Sequence, residues 1–461
     1  MANTYLTATQ GSPTLNTKYT FSFWVRRAKL AYSEAFLFDA REDGSNRFKL
    51  SFQSADKIEC FNLNGGTNTF DFVTNRQFRD PAAWYHIVLA VDTTQSSATD
   101  RVKLYVNGVQ ETSFSSFNFN GSQSDANNIF NENGRAITIG AYNGGGSYNN
   151  NFDGALAHVH FVDGIAYTPS TFGQTDATSG HWTPKTSPSV TYGNNGFFLK
   201  FENSGNLDLD SSGNNKSFTT NGNLRQLQDT PTNTFANLTP LYTIEYNSAH
   251  FFTNQNNTTN ENQAAWNTNP CTMEVSSGKW YFEGYGHTNS NNYVHYGITS
   301  SAKMNASGTQ AQQEIQGGSN GYATGYYGNN GNRYYSTPST STSASYGASY
   351  GSTDYIGIFM DLDNNKLYFA KNGTLQNSGT GLDINADGKP YILATAVYDG
   401  LTNVNFGNGL FGTTALTGTT YADANGHGIF KYSPNQGGAA NFDSAAKNFY
   451  AMNTKNLKEF G

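Results

Sequence analysis

The chain has 461 residues, of which 13% are charged, 36% hydrophobic and 15% aromatic, with 48 glycines and a formal net charge of −7. Aromatic side chains in that number supply buried area while Gly, Asn, Ser and Thr supply turns, which excludes a disordered acidic chain. The acidic balance argues against a binder of nucleic-acid phosphates, and no window approaches the ~18 apolar residues of a membrane span, so a neutral or polar partner is expected.

Taken in chain order, Tyr19, Phe21, Phe23 and Val25 alternate with Thr20, Ser22, Trp24 and Arg26, which puts the first four on the core face of a strand. Further strands are expected at Arg47–Phe52, Lys57–Leu63, Trp84–Val91, Arg101–Val106, Ala136–Ile139, Ala155–Val162 and Phe197–Phe201. No long 3.6-residue period separates them, the pattern of an antiparallel sandwich with polar outer faces. From Asp208 to Thr259 the text turns rich in Pro, Asn and Thr and is expected to be a linker region, 208–259. It divides a first domain, 1–207, from a second, 260–420. Strands of the second are expected in Thr272–Tyr285, Tyr293–Ile298, Asp354–Asp361, Lys366–Ala370, Tyr391–Val397 and Val404–Phe406. The last stretch, 421–461, is expected to be a tail on the second domain or on a neighbouring subunit.

The two halves repeat one phrase. YHIVLAVD, a loop and RVKLYVNG at Tyr85–Gly108 match YIGIFMDLDNNKLYFAKNG at Tyr355–Gly373, each an apolar run ending in aspartate (Asp92, Asp361) and an alternating strand closed by Asn-Gly. Asn-Gly between such strands marks a type I′ hairpin, because both central residues need positive φ. Two similar all-β sandwiches in tandem follow. The cysteines, Cys60 and Cys271, stand one in each half, and the N-terminal text lacks the basic and apolar regions of a secretory signal. No disulfide framework is expected, and the chain is expected to fold in a reducing cytoplasm.

The segment Gly321–Gly351 reads GYATGYYGNNGNRYYSTPSTSTSASYGASYG, the Tyr/Ser/Gly/Asn composition of antibody binding loops. Tyr322, Tyr326, Tyr327, Arg333, Tyr334, Tyr335, Tyr346 and Tyr350 are the expected contact residues of a long inserted loop, with Tyr142 and Tyr148 of AYNGGGSYNNNF as a smaller patch. Replacing Tyr334 and Tyr335 by Ala is expected to weaken binding and leave stability nearly unchanged. Asp153 and Asp163 bracket the strand of His158 and His160 and are expected calcium positions at its rim. Asp383, Asn385 and Asp387 copy the first half of a calcium loop, whose twelfth position is Ala394 instead of a bidentate Glu. His158 and His160, at i and i+2, are read as paired polar-face histidines for want of a third ligand. A glycosidase needs two carboxylates facing one cleft, and the nearest cluster, Glu34, Asp39, Glu42 and Asp43, has spacings that scatter them over both faces of a strand and its loop. No cofactor other than calcium is expected.

The first domain, in FSFWVRRA, WYHIVLAVD, KLYVNG, ITIGAYN and FDGALAHVHFVDG, resembles the laminin-G-like branch of the concanavalin A-like lectin/glucanase superfamily. The second, in SGKWYFEGY, VHYGITS, DYIGIFMDLDNNKLYFAKNG and KPYILATAVYDGLTNVNFGN, resembles a SPRY (B30.2) module. The fold this implies is all-β: two tandem antiparallel jelly-roll sandwiches with a C-terminal extension. The phrases DGIAYTPSTFGQTD, HWTPK, YGNNGFFLKF, DTPTNTFANLTP and TKNL resemble segments of structural proteins of tailed phages, marine ones especially. That resemblance implies a non-enzymatic virion protein, assembled in the host cytoplasm and released by lysis. Its expected partners are other virion proteins, further copies of itself and host-surface polysaccharide, without nucleic acid or membrane insertion. A capsid cement without host binding and a carbohydrate-active enzyme are the alternatives.

Overall fold

The computed structural model of the chain describes residues 4–241, 251–253, 257–300, 315, 322–337, 339–384, 390–435 and 448–461. Two compact units emerge, Met1–Gln226 with Thr230–Thr232, and Leu227–Asp229 with Asn233–Gly461.

Among the described residues, the first unit holds an eight-stranded sheet in the order Phe114–Phe119, Thr67–Thr74, Ile58–Asn64, Arg47–Gln53, Glu34–Arg41, Ala136–Ile139, Tyr5–Thr9 and Thr219–Asn221. A six-stranded sheet runs Phe197–Leu199, Gly154–Asp163, Lys18–Arg27, Tyr85–Asp92, Val102–Val106 and Val109–Gln110. Both are antiparallel, and Tyr19, Phe21, Phe23 and Val25 face a core of phenylalanines that includes Phe38, Phe48, Phe130 and Phe161. The polar outer face expected for the strand Lys18–Arg27 is not open. Thr20, Ser22 and Trp24 are buried too, because Tyr167, Phe172 and Tyr192 form a second apolar cluster with Val88 and Val162.

In the second unit the strand Tyr391–Asn405, fifteen residues long, joins the architecture. It pairs with Thr258–Val275, with Val294–Ser300 and, by its last residues, with Lys279–Tyr285. Lys279–Tyr285 continues into Ile356–Asp361 and Lys366–Lys371, and Val294–Ser300 into Ala323–Tyr327, Asn332–Ser336 and Ser341–Ser345. Both Asn-Gly pairs make the expected turn, with φ of 50° and 83° at Asn107-Gly108 and 48° and 79° at Asn372-Gly373. Each asparagine accepts a backbone N–H at the start of the preceding strand, from His86 and from Tyr355, both at 2.8 Å.

The stretch expected as a linker is partly built into the units. Thr219–Asn221 pairs with Tyr5–Thr9, Asp210 accepts the Phe198 N–H at 2.8 Å, and Phe235, Ala236 and Leu238 are buried in the second unit. Polar residues here bond to backbone, so a polar text does not mean a loose chain. The C-terminal stretch is bound to the second unit as well. Tyr450–Ala451 runs parallel to Trp280 and Tyr281, and the helix Thr454–Phe460 starts at Asn453, whose side chain accepts from Lys455 and Asn456. Buried Glu283 ties this region down, accepting from Lys431 N at 2.9 Å, Tyr432 N at 2.8 Å, Tyr281 Oη at 2.9 Å and Asn405 Nδ2 at 3.2 Å.

The segment expected as a long inserted loop is instead part of the sheet. Ala323–Tyr327, Asn332–Ser336 and Ser341–Ser345 are paired strands. Tyr326, Tyr346 and Tyr350 lie in the core. The Tyr326 hydroxyl bonds Ala348 O, that of Tyr350 bonds Tyr326 O at 2.7 Å, and that of Tyr346 accepts the Phe369 N–H at 3.2 Å. Tyrosines at alternate positions suit a half-polar interior, where the ring is buried and the hydroxyl reaches a backbone group.

Two outcomes follow for stability. Tyr326→Ala is expected to cost about 3–5 kcal/mol, as for other large buried aromatics, whereas Tyr334→Ala, half-buried on the opposite sheet face, should cost about 1 kcal/mol or less; urea denaturation of the two variants measures the difference. At Glu283 burial pushes the carboxyl up to about 7, against the pull of its four donors. The folded value exceeds the ordinary one, so this stabilisation is complete below pH 4.5 and is lost as pH rises through 7. Glu283→Gln turns an NH2 group toward backbone donors; it should lower the unfolding free energy by about 2 kcal/mol and flatten its slope between pH 5 and 8.

Candidate binding surfaces

In the second unit, His295 stands opposite Tyr327 on one side and Ala396 on the other, Gly325 opposite Tyr334 and Gly297, and Tyr398 opposite Trp266. These residues share one sheet face. Gly297, Gly325, Ala394 and Ala396 form its low floor, and Ile315 sits on it with Ala394, Ala396 and Trp266. Gly325 is required, since a Cβ there would stand 2.1 Å from Ile315 Cγ2.

Around the floor rises a cluster of rings. The Trp266 centroid lies 5.0 Å from His295, 5.6 Å from Tyr398, 5.9 Å from Tyr327 and 6.2 Å from Tyr293. His295 and Tyr327 stack at 4.4 Å, and Tyr334 meets both edge-on at 5.1 and 5.4 Å. Burial lowers the His295 imidazole to about 3, so it is a neutral ring at physiological pH. Asn289 positions two of the tyrosines: it accepts from Tyr293 N at 3.1 Å and donates to Tyr398 O at 2.6 Å. Trp266, Tyr293, Tyr334 and Tyr398 remain half-buried, each keeping part of its ring in solvent. Such a surface stacks flat ligands and hydrogen-bonds them through phenol hydroxyls.

Of the expected contact residues, Tyr327 and Tyr334 join this cluster. Tyr322, Arg333 and Tyr335 are half-buried outside it, with Arg333 5.9 Å above the Tyr335 ring. Trp266, Tyr293, His295 and Tyr398 are new. Trp266, His295 and Tyr398 lie on three separate strands and Tyr293 just before the second of them, and only the shared cross-strand register unites them. In the first unit Tyr142 and Tyr148 sit on the short hairpin Tyr142–Asn143 with Tyr148–Asn149, and Tyr148 stacks on Tyr5 at 4.1 Å.

The calcium positions are corrected where they are described. Asp153 and Asp163 flank opposite ends of Gly154–Asp163, roughly 30 Å apart at strand rise, and cannot share an ion. Asp163 is already filled, accepting from Thr14 N at 2.6 Å, Leu15 N at 3.2 Å, Asn131 Nδ2 at 2.7 Å and Asn195 N at 3.2 Å. Asp383 pairs with Lys366, while Asn385 and Asp387 lie outside the described residues. Among the described residues no group of three or more His, Cys, Asp or Glu is placed to hold a metal ion.

Groups with catalytic names are committed to structure. His160 stacks on Phe198 at 3.8 Å and bonds the Tyr192 hydroxyl at 2.8 Å, and a bulge separates it from Ala157. Ser22 Oγ lies 2.9 Å from His86 Nε2, but Trp182 Nε1 donates to His86 Nδ1 at 2.9 Å. The proton is therefore on Nε2, which donates to the serine and cannot take its proton. The acidic cluster disperses: Glu34 pairs with Lys49, Glu42 with Arg135, Asp43 caps Ser45 and Asn46, and Asp39 is buried, where desolvation pushes it to about 7.

Residues 1–171 match the family model described as the concanavalin A-like lectin/glucanases superfamily, and residues 279–407 match that of the SPRY domain. No curated protein matches the chain. Similar solved structures include the SPRY domain of human HERC1, 14% identical over 32% of this chain and 87% of that one at a TM-score of 0.26. A heptameric SAP-like pentraxin from Limulus polyphemus is 14% identical over 41% and 89%, at 0.29. A putative carbohydrate binding protein from Bacteroides ovatus is 16% identical over 48% and 57%, at 0.30. The chain is thus nearly all-β and carries a concanavalin A-like sandwich followed in tandem by a SPRY sandwich.

Proposed function

We propose that this chain is a non-enzymatic structural protein of a tailed-phage virion, a fibre, appendage or decoration subunit that binds host-surface glycan or neighbouring virion proteins. The observation that carries the binding reading is the uncharged ring cluster of Trp266, Tyr293, Tyr327, Tyr334 and Tyr398, half of it open to solvent on one rigid sheet face. Sugar rings present flat C–H faces to such indole and phenol rings, and their hydroxyls suit the tyrosine oxygens. The His86 tautomer and the spent carboxylates support a role without covalent chemistry. The virion setting rests on the phage-like phrases between and after the two domains.

A capsid cement is favoured by a different observation. Ser341–Ser345 is an edge strand exposed at all five positions and without charge, the kind of edge to which a neighbouring strand adds.

Immunogold labelling of intact particles tests the setting: label on the capsid shell indicates decoration or a head fibre, label at the tail tip indicates receptor binding, and unlabelled particles refute a virion role. For the site, Trp266→Ala is expected to weaken retention on host-cell polysaccharide about tenfold, or ~1.4 kcal/mol, with the melting temperature within a few degrees of the parent. Unchanged retention would leave the cement reading.

A further inference from the structure

We propose that the first unit carries a second, separate site, an arginine pair that binds the carboxylate or sulfate of an acidic saccharide. Glu34–Arg41 and Arg47–Gln53 are neighbouring antiparallel strands, and their register sets Arg41 directly opposite Arg47. Like charges in that position repel at the closest cross-strand spacing, so a sheet gains nothing by keeping them. Both guanidinium groups also lie beside one ring, with Cζ 5.6 Å and 5.9 Å from the centroid of Tyr142.

What sets this pair apart is the treatment of the other cations nearby. Lys49, two residues from Arg47, is flanked by Glu34 and Glu59, and Arg27, Arg76 and Arg135 each have a carboxylate within 3.0 Å. Among the described residues neither Arg41 nor Arg47 has a carboxylate at ion-pair distance. The acids closest in sequence are turned elsewhere: Glu42 goes to Arg135, and Asp43 accepts the backbone N–H groups of Ser45 and Asn46. Asp39 lies on the same face but is sealed beneath it, one oxygen taking the Asn143 N–H at 3.1 Å. Arg41 spends its donors on Asp43 O at 3.0 Å and on the Tyr142 oxygen. Arg47 makes no side-chain hydrogen bond among the described residues, and rests instead over the Phe61 ring at 4.9 Å.

Two planar forks held side by side and half-exposed carry two positive charges that act on one buried acid, Asp39, and their exposed sides match an anionic group that accepts from both. Because the Tyr142 oxygen already accepts from Arg41, its own hydrogen is free to donate to the ligand. Tyr148, on the same hairpin as Tyr142, stacks on Tyr5 of the strand Tyr5–Thr9 and offers a flat aromatic surface on that hairpin. An anion on a ring that also bears hydroxyls meets all three features, which selects a uronate or sulfated sugar over a free inorganic ion. The choice of a saccharide rests on the glycan-binding reading above; the anion clamp rests on the arginines alone.

Affinity electrophoresis of the full chain through gels containing polygalacturonate, dextran sulfate or neutral dextran tests this. The parent should be retarded by at least one of the two charged polymers, less so as salt is raised, and not by dextran. Arg41→Gln and Arg47→Gln should each weaken that retardation about tenfold and leave the melting temperature within a few degrees of the parent, because relief of the like-charge contact offsets the lost contacts of each side chain. Trp266→Ala should leave it unchanged, which separates this site from the second unit's aromatic face. Retardation by the uronate alone or the sulfate alone tells which anion is held. No retardation by either, equal retardation by dextran, or retention of full binding in both glutamine variants would overturn the proposal; a fall of several degrees in melting temperature with binding kept would make the pair structural.

Discussion

Each sandwich depends on one register lock. A lysine that opens a strand faces the aspartate that ends the next, Lys18 with Asp92 at 3.1 Å and Lys279 with Asp361 at 3.5 Å. One strand further on, an Asn-Gly turn reaches back to the backbone N–H that begins the aspartate strand. Both ends of that central strand are thereby fixed. A slip by one residue would move every side chain to the wrong face, and these central strands are buried on both faces, so the lock decides which rings meet. The apolar runs between its ends, IVLAV and IGIFM, add burial without adding register of their own.

With so few charges, the molecule uses buried carboxylates as anchors for irregular chain. Asp163 holds the turn at Thr14 and Leu15 together with Asn195, Asp210 holds the strand start at Phe198, Glu283 holds Lys431 and Tyr432, and Asp423 accepts from His427 N and Ala451 N. A carboxylate has several acceptor sites and can therefore collect donors from segments that have no ladder to join. The consequence is that these four carboxylates are spent on holding the chain. The rings of Trp266, Tyr293, Tyr334 and Tyr398, by contrast, keep part of their surface in solvent.

The binding surfaces illustrate what pattern reading can and cannot reach. Tyrosine density directs attention to 321–351, but the same alternation that makes a tyrosine-rich text also makes strands, and Tyr326, Tyr346 and Tyr350 turn inward to the core. Trp266, Tyr293, His295 and Tyr398 have no local mark of a site. Likewise Arg41 and Arg47 read as ordinary ends of a short hairpin, and their meaning appears only when Glu42 and Asp43 are seen to point away.

Strand text, Asn-Gly turns and the repeated phrase were legible in the sequence because they are local: alternation needs only neighbours two residues apart, and positive φ needs only the two turn residues. On that basis the strands at Arg47, Ile58, Tyr85, Val102 and Ala136 could be placed within a residue or two, and the tandem all-β class with them. Glu34–Arg41 and Phe114–Phe119 lacked clean alternation, the first being buried almost throughout and the second serine-rich at a sheet edge. Which faces would be covered, which carboxylates filled and which rings gathered were decided by tertiary structure alone. Those outcomes depend on cross-strand register and on loops folding back over sheets, contacts between residues from tens to well over a hundred positions apart that no local pattern encodes.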